Sequence, residues 1–232
     1  MSDVSHSFEE KTFKKDKECK FVIGIDDCAR GNWAGDVFLV AFAHGRQTTF
    51  ANGVRDSKKV TKPQMNKLFP ILSRIENSFY TTVRKSPQVI DEINIREASL
   101  QGMTEAAEQL IDLLLVKGYI TLDNIEKQVK IFIDGKDVPK DKIFKKYATE
   151  AVIKGDSKCY SIACASILAK HQQRQSMLEY DEIYPKYGFE TNCGYGTPQH
   201  IAALKKYGTC KIHRMSYKSK ELGELDLLPK ND

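Results

Sequence analysis

The chain has 232 residues, of which 41% are hydrophobic and 29% charged, so it reads as globular, in one domain or two, and wholesale disorder is excluded. Its longest apolar run, residues 37–43, is far short of the roughly 20 residues that span a bilayer. The first 20 residues mix both charge signs around no apolar core, so neither a signal peptide nor a membrane partner is expected, and the protein reads as cytoplasmic. Thirty-six basic against 31 acidic residues leave a net charge of +5, a weak pointer to an anionic partner. Its distribution says more. Arg55, Lys58, Lys59, Lys62 and Lys67 form one basic cluster, and residues 205–220 carry five Lys and one Arg without an acid. Two separated basic stretches suit a nucleic-acid surface.

In chain order, residues 1–20 read as a loosely attached arm, 21–220 as the folded domain and 221–232 as a tail. Apolar runs predict strands at 21–25 and 37–43, and alternation predicts a third at 47–51, the three lying adjacent and antiparallel. Thr61, Pro63 and Gln64 have the spacing of a capped helix start, and Pro70 is expected to kink or split that helix. A strand is predicted at 79–83. Asn94 then caps a long helix whose apolar side includes Met103, Ala107, Leu110 and Leu114, stopped by Gly118. A last strand is predicted at 129–133. Residues 161–170 form a helix rich in Ala, Ser and Cys, able to approach a sheet closely, and Thr197, Pro198 and Gly208 frame a short one. Strands first, then helices alternating with strands, predict an α/β fold on a mixed sheet.

Four acids stand where chemistry would be placed. Asp26 and Asp27 end the first strand, Asp134 ends the strand at 129–133, and Asp156 precedes the small-residue helix. Carboxylates gathered at strand ends repel one another unless cations join them, and their hard oxygens select Mg²⁺ or Mn²⁺. Two such ions can activate water and stabilise a leaving oxygen in phosphodiester cleavage. Of the six cysteines none has Cys-x-x-Cys spacing; Cys193, Cys210 and His213 are the one metal-like scatter, for which a structural role is expected.

The order of these motifs resembles the ribonuclease HII (type 2 ribonuclease H) family. Gly24-Ile25-Asp26-Asp27-Cys28-Ala29-Arg30-Gly31 is similar to its opening G-[IV]-D-E-[AV]-G-R-G, and Asp56-Ser57-Lys58-Lys59 to its D-S-K-K. Ile90-Asp91-Glu92-Ile93-Asn94-Ile95, Ile133-Asp134-Gly135, Lys154-Gly155-Asp156, the run at 161–170, Gly194-Tyr195-Gly196-Thr197 and His213-Arg214-Met215-Ser216-Tyr217 come next in family order. The resemblance implies a ribonuclease H-like mixed five-stranded sheet flanked by helices, with a helical C-terminal region. It implies a metal-dependent endoribonuclease that cleaves the RNA of RNA–DNA hybrids and nicks 5′ of ribonucleotides embedded in duplex DNA; separately, a monomer is expected. It assigns two Mg²⁺ or Mn²⁺ ions during catalysis to Asp26, Asp27, Asp134 and Asp156. It assigns recognition of 2′-hydroxyls to Ala29, Arg30 and Gly31, stacking on the following deoxyribose to Tyr195, and phosphate contacts to Lys58, Lys59 and Asn94. The structural alternative for Arg30 is a surface ion pair with Asp36. Two positions depart from the family pattern: Asp27 stands where it has Glu, and Ala29 where it has the first Gly. Asn32 also replaces the Pro after the second Gly.

Overall fold

A computed structural model describes residues 3–136 and 138–217. Five strands, β1 (Phe21–Cys28), β2 (Val37–Gly45), β3 (Ser78–Lys85), β4 (Val129–Asp134) and β5 (Ala148–Val152), form one mixed sheet in the order β3-β2-β1-β4-β5. The first three make an antiparallel meander, and β4 and β5 add in parallel beside β1. Helices α1 (Ser7–Lys15), α2 (Lys62–Leu72), α3 (Pro87–Val116), α4 (Ile125–Gln128), α5 (Lys142–Lys146), α6 (Tyr160–Ile183), α7 (Phe189–Asn192) and α8 (Pro198–Tyr207) complete the described chain.

The sheet's pleat divides the core. Ile23, Ile25, Leu39, Ala41, Ile131 and Ile133 face α3, which buries Ala107, Leu110 and Leu114 against them. Phe38, Val40 and Phe42 face α6 and α2 on the other side. The small residues predicted at 161–170 explain how close α6 comes: a Cβ on Gly24 would lie 2.2 Å from the Ile162 backbone nitrogen, so no other residue fits there. The end of α6 with α7 and α8 encloses a separate core around Phe189 and Leu204, which is the helical C-terminal region.

Several expectations need correction. Residues 47–51 are not a strand: Thr48 folds back to donate from Oγ1 to the Asn77 carbonyl at 2.7 Å, and β3 takes the position beside β2. The unpredicted fifth strand is β5, an edge strand whose alternate residues face solvent. The N-terminal arm contains α1, which buries Phe13 and is bolted to the end of β2 by Arg46, donating to the carbonyls of Phe13 at 2.6 Å and Cys19 at 2.8 Å. Pro70 falls in the last turn of α2 and does not split it. Residues 221–232, Lys218 and Lys220 lie outside the described residues.

Candidate active site

Parallel pairing of β1 with β4 ends at Ile25 opposite Ile133, so Asp26 and Asp134 come next on neighbouring strands. Even-numbered residues of both strands face α6, which directs these two carboxylates to one side; the pleat directs Asp27 to the other. The chain then passes through β5 to a 3-10 turn, Gly155–Ser157, where the Gly155 N–H donates to Asp134 Oδ1 at 2.6 Å. That bond sets Asp156 beside Asp134. Asp26 and Asp156 are buried, and Asp27 is half-buried.

The electrostatics record how close the acids are. Burial raises the pKa of Asp26 well above the carboxylate range, and the charges of Asp27 and Asp134 add to it; the Ser166 hydroxyl opposes them. Burial also lifts Asp27 to about 6, partly countered by Arg30, whose Nη1 lies 3.5 Å from Asp27 Oδ2, and reinforced by Asp134. Asp134 is raised by burial and by Asp156, with the Gly155 N–H and Lys58 opposing. Lys58 Nζ lies 3.8 Å from Asp156 Oδ2. Among the described residues no three His, Cys, Asp or Glu side chains already surround a common point. The donor set nevertheless suits a hard divalent ion in kind: the carboxylates of Asp26, Asp27 and Asp134 are raised by burial first and by neighbouring acids second, and a cation joining them offsets both costs.

Beside the acids runs the loop from Ala29 to Trp33. Ala29 adopts φ 75°, the left-handed conformation that glycine takes freely, so the loop keeps a glycine-like path despite the departure. The Arg30 carbonyl accepts from Arg214 Nη1 at 3.0 Å and from the Tyr217 hydroxyl. Arg30 therefore pairs with Asp27, while Asp36 is taken by Arg84 at 2.7 Å. Asn32 is fully buried and donates from Nδ2 to the Cys193 carbonyl at 2.6 Å; with Trp33 N–H on the Gly194 carbonyl at 2.7 Å, it joins this loop to the one bearing Tyr195. Tyr195 itself is half exposed. A chain of bonds fixes its backbone: the Cys210 N–H donates to His213 Nδ1 at 2.8 Å, leaving His213 Nε2–H to donate to His200 Nε2 at 3.0 Å and His200 Nδ1–H to the Tyr195 carbonyl at 2.9 Å. Cys210 and His213 thus have the structural role expected of them.

The remaining predicted residues separate. Lys58 reaches the acids, but Lys59 turns to Asp56 at 3.9 Å. Asn94 is exposed and occupied as a helix cap, its Oδ1 accepting from the Arg96 and Glu97 N–H groups at 2.9 and 3.1 Å. Sequence reasoning gave no role to Asn32, His200, Ser57, Ser166, Lys170, Arg214 or Tyr217. Ser57 Oγ meets Ser166 Oγ at 2.7 Å and accepts from Lys170 Nζ, so the Asp56-Ser57-Lys58-Lys59 segment is anchored on α6 beneath Asp26. For Ser57, Ser166, Lys170, Arg214 and Tyr217 the signal was their place inside the family-like motifs, not their residue type; His200 lies in no such motif and Asn32 just past one.

A family model described as Ribonuclease HII matches residues 23–220. A protein named Ribonuclease HII from Caldicellulosiruptor bescii is 38% identical over 217 residues, covering 94% of this chain and 96% of its own. Another of that name, from Ruminiclostridium cellulolyticum, is 40% identical over 200 residues, 85% of this chain and 69% of that one. Among solved structures, the ribonuclease H2 from Pyrococcus horikoshii superposes with a TM-score of 0.64 at 21% identity, covering 87% of this chain and 95% of its own. A chain from the PCNA:RNase HII complex of Archaeoglobus fulgidus does so at 0.62 and 21%, covering 86% and 96%. These two likenesses establish the fold.

Proposed function

The chain belongs to the ribonuclease HII family, and on that premise we propose that it cleaves the RNA strand of RNA–DNA hybrids and nicks 5′ of single ribonucleotides in duplex DNA, leaving 3′-hydroxyl and 5′-phosphate ends. The observation that supports this best is the gathering of Asp26, Asp134 and Asp156 at the end of β1 and β4, beside the loop from Ala29 to Trp33. Asp26, Asp27, Asp134 and Asp156 would hold two Mg²⁺ or Mn²⁺ ions. When bound, such ions supply an activated water and stabilise the departing oxygen.

The protein's own groups do the rest. Ala29, Arg30 and Gly31 offer backbone to a 2′-hydroxyl, the one group that tells RNA from DNA in any base sequence. The Arg30 peptide is held still for that task by Arg214 and Tyr217. The exposed ring of Tyr195 offers a flat face to the deoxyribose beyond the ribonucleotide, and Lys58, exposed and long in reach, offers charge to phosphates.

A second reading, a hybrid-binding protein with weakened catalysis, draws on Asp27: its carboxylate is one methylene shorter than the family's Glu and is engaged by Arg30. Cleavage of a duplex bearing one ribonucleotide, with Mg²⁺ and Mn²⁺ in turn, separates the two. Product that disappears in Asp134→Asn, by roughly a thousandfold or more, supports hydrolysis at this site. Hybrid binding without product in either metal supports the second reading. Because Mg²⁺ tolerates a misplaced ligand poorly, the Mn²⁺/Mg²⁺ rate ratio should exceed one and fall in Asp27→Glu.

A further inference from the structure

The acid site uses nothing from α1, yet α1 carries a carboxylate that is completely buried. Glu9 Oε1 accepts from the Ser161 N–H at 2.9 Å, from Ser161 Oγ at 2.8 Å and from Cys159 Sγ at 3.2 Å, while Oε2 has no hydrogen-bond partner among the described atoms. A buried acid with one oxygen unsatisfied is costly. Adhesion does not require it: Phe8 and Phe13 already pack α1 against Phe132, Val152 and Ile162. A carboxyl group at this position calls for a role beyond holding α1 in place.

Its position is informative. The N-cap of α6, Cys159, makes no side-chain capping bond, and Glu9 supplies the missing acceptor from another helix, where the helix dipole favours an anion. The turn it grips is a wedge between the acids. A Cβ on Gly24, two residues before Asp26, would lie 2.2 Å from the Ile162 nitrogen; a Cβ on Gly155, next to Asp156, would lie 2.6 Å from Ile162 Cδ1. Gly155 is also the donor to Asp134. One turn of α6 therefore touches both the strand carrying Asp26 and the turn carrying Asp156, and Glu9 fixes that turn from behind.

We propose that Glu9 is a positioning residue of the acid cluster: by locking the first turn of α6 it sets the spacing of Asp26, Asp134 and Asp156. This rests on the reading of those acids as the hydrolytic site. The test compares full-length Glu9→Ala and Glu9→Gln with the parent on an RNA–DNA hybrid, titrating Mg²⁺ well below the unfolding midpoint. Glu9→Ala should lower kcat by ~10- to 100-fold and raise the half-saturating Mg²⁺, with KM almost unchanged, because small displacements of reacting groups cost rate steeply. Glu9→Gln keeps an oxygen for Ser161 and should recover most of the loss. Ser161→Ala should cost less in the Glu9→Ala background than alone, as coupled partners do. If the midpoint falls while kcat and the Mg²⁺ dependence do not move, the inference is overturned and Glu9 only holds α1. Should Glu9→Ala not fold, Glu9→Gln and Ser161→Ala decide it by the same readouts: a shifted Mg²⁺ dependence supports the inference and an unshifted one overturns it. Asp134→Asn is run alongside. If it stays active, the site reading fails as well; if it is dead while the Glu9 variants behave as parent, only the positioning role falls.

Discussion

Ala29 shows how opposing terms meet in one residue. Its φ of 75° costs an L-residue ~1–2 kcal/mol relative to glycine. Against that, its buried methyl contributes ~0.8 kcal/mol, and glycine would give the unfolded chain a further ~0.5–1 kcal/mol of freedom to lose. The terms nearly cancel. Ala29→Gly should therefore change the unfolding free energy by less than about 1 kcal/mol in either direction. Ala29→Val, β-branched in the left-handed region and inserted into a packed site, should destabilise by more than ~2 kcal/mol. Denaturant unfolding of both variants checks this, and a large gain for glycine would mean the methyl packs poorly. The acids were legible as a set: one carboxylate at a strand end is an ordinary turn residue, but four beside apolar strands point to a shared task. Asn32, His200 and Arg214 were not legible in the same way. Asn32 acts on Cys193 and Arg214 on Arg30, both distant in sequence, while His200 links Tyr195 to His213 within the C-terminal region, and only folding brings such partners together.

Among the elements, α3 holds the clearest conflict between local rule and tertiary demand. The sequence places a helix start at Asn94, and the structure contains it, but as a break within a helix that begins at Pro87. Asn94 sits at φ 65° and ψ 160°, a region that belongs almost wholly to glycine, while its side chain caps the second segment. The first segment, needed to carry Asp91 to the N–H groups of Met215 and Ser216 at 2.8 and 2.9 Å, is too short to show periodicity in the sequence. Asn94→Ala should cost ~1–2 kcal/mol, losing the cap and keeping the strain, and Asn94→Gly less, losing the cap but relieving the strain. A reversal of that order in thermal melts would remove the strain from the account. The strand errors have a comparable origin. Residues 47–51 alternate in polarity but are turned by Thr48, and β5 hides its strand character behind alanines on an exposed edge. Alternation reports a half-buried surface only once a neighbouring strand is there to bury it.

For the whole molecule, the buried histidines set the response to acid. Burial, with the neighbouring His6, lowers His44 to about 4; burial and His200 lower His213 to about 3; burial also lowers His200, against the pull of the Tyr195 carbonyl. The unfolded chain takes up these protons near pH 6.5 while the folded one refuses them, so their stabilisation is complete above about 6.5 and drains away as the pH falls toward their folded values. The raised acids act oppositely. Asp27 binds its proton near 6 in the folded state, so its contribution grows as the medium is acidified and is lost as pH rises through 6. His213→Gln should isolate the first effect. It should lower stability at pH 7 but flatten the fall between pH 6 and 4 by up to ~1.4 kcal/mol per pH unit. An unchanged slope in guanidinium titrations would mean that His213 is already charged when folded.

The pairing of β1 with β4 has a consequence in time. The hairpin of β1 and β2 is contiguous in the chain and can close early, but Phe21 must wait for Val129, more than a hundred residues later. Such long-range closures are the slow part of folding. On the proposed assignment of the acids, a chain caught midway carries Asp26 and Asp27 without their companions and should not yet cut. During refolding from denaturant, hydrolytic activity should return later than the far-ultraviolet signal of strands and helices. Hydrolysis would then be a late gain, keeping half-made molecules harmless to the nucleic acid around them.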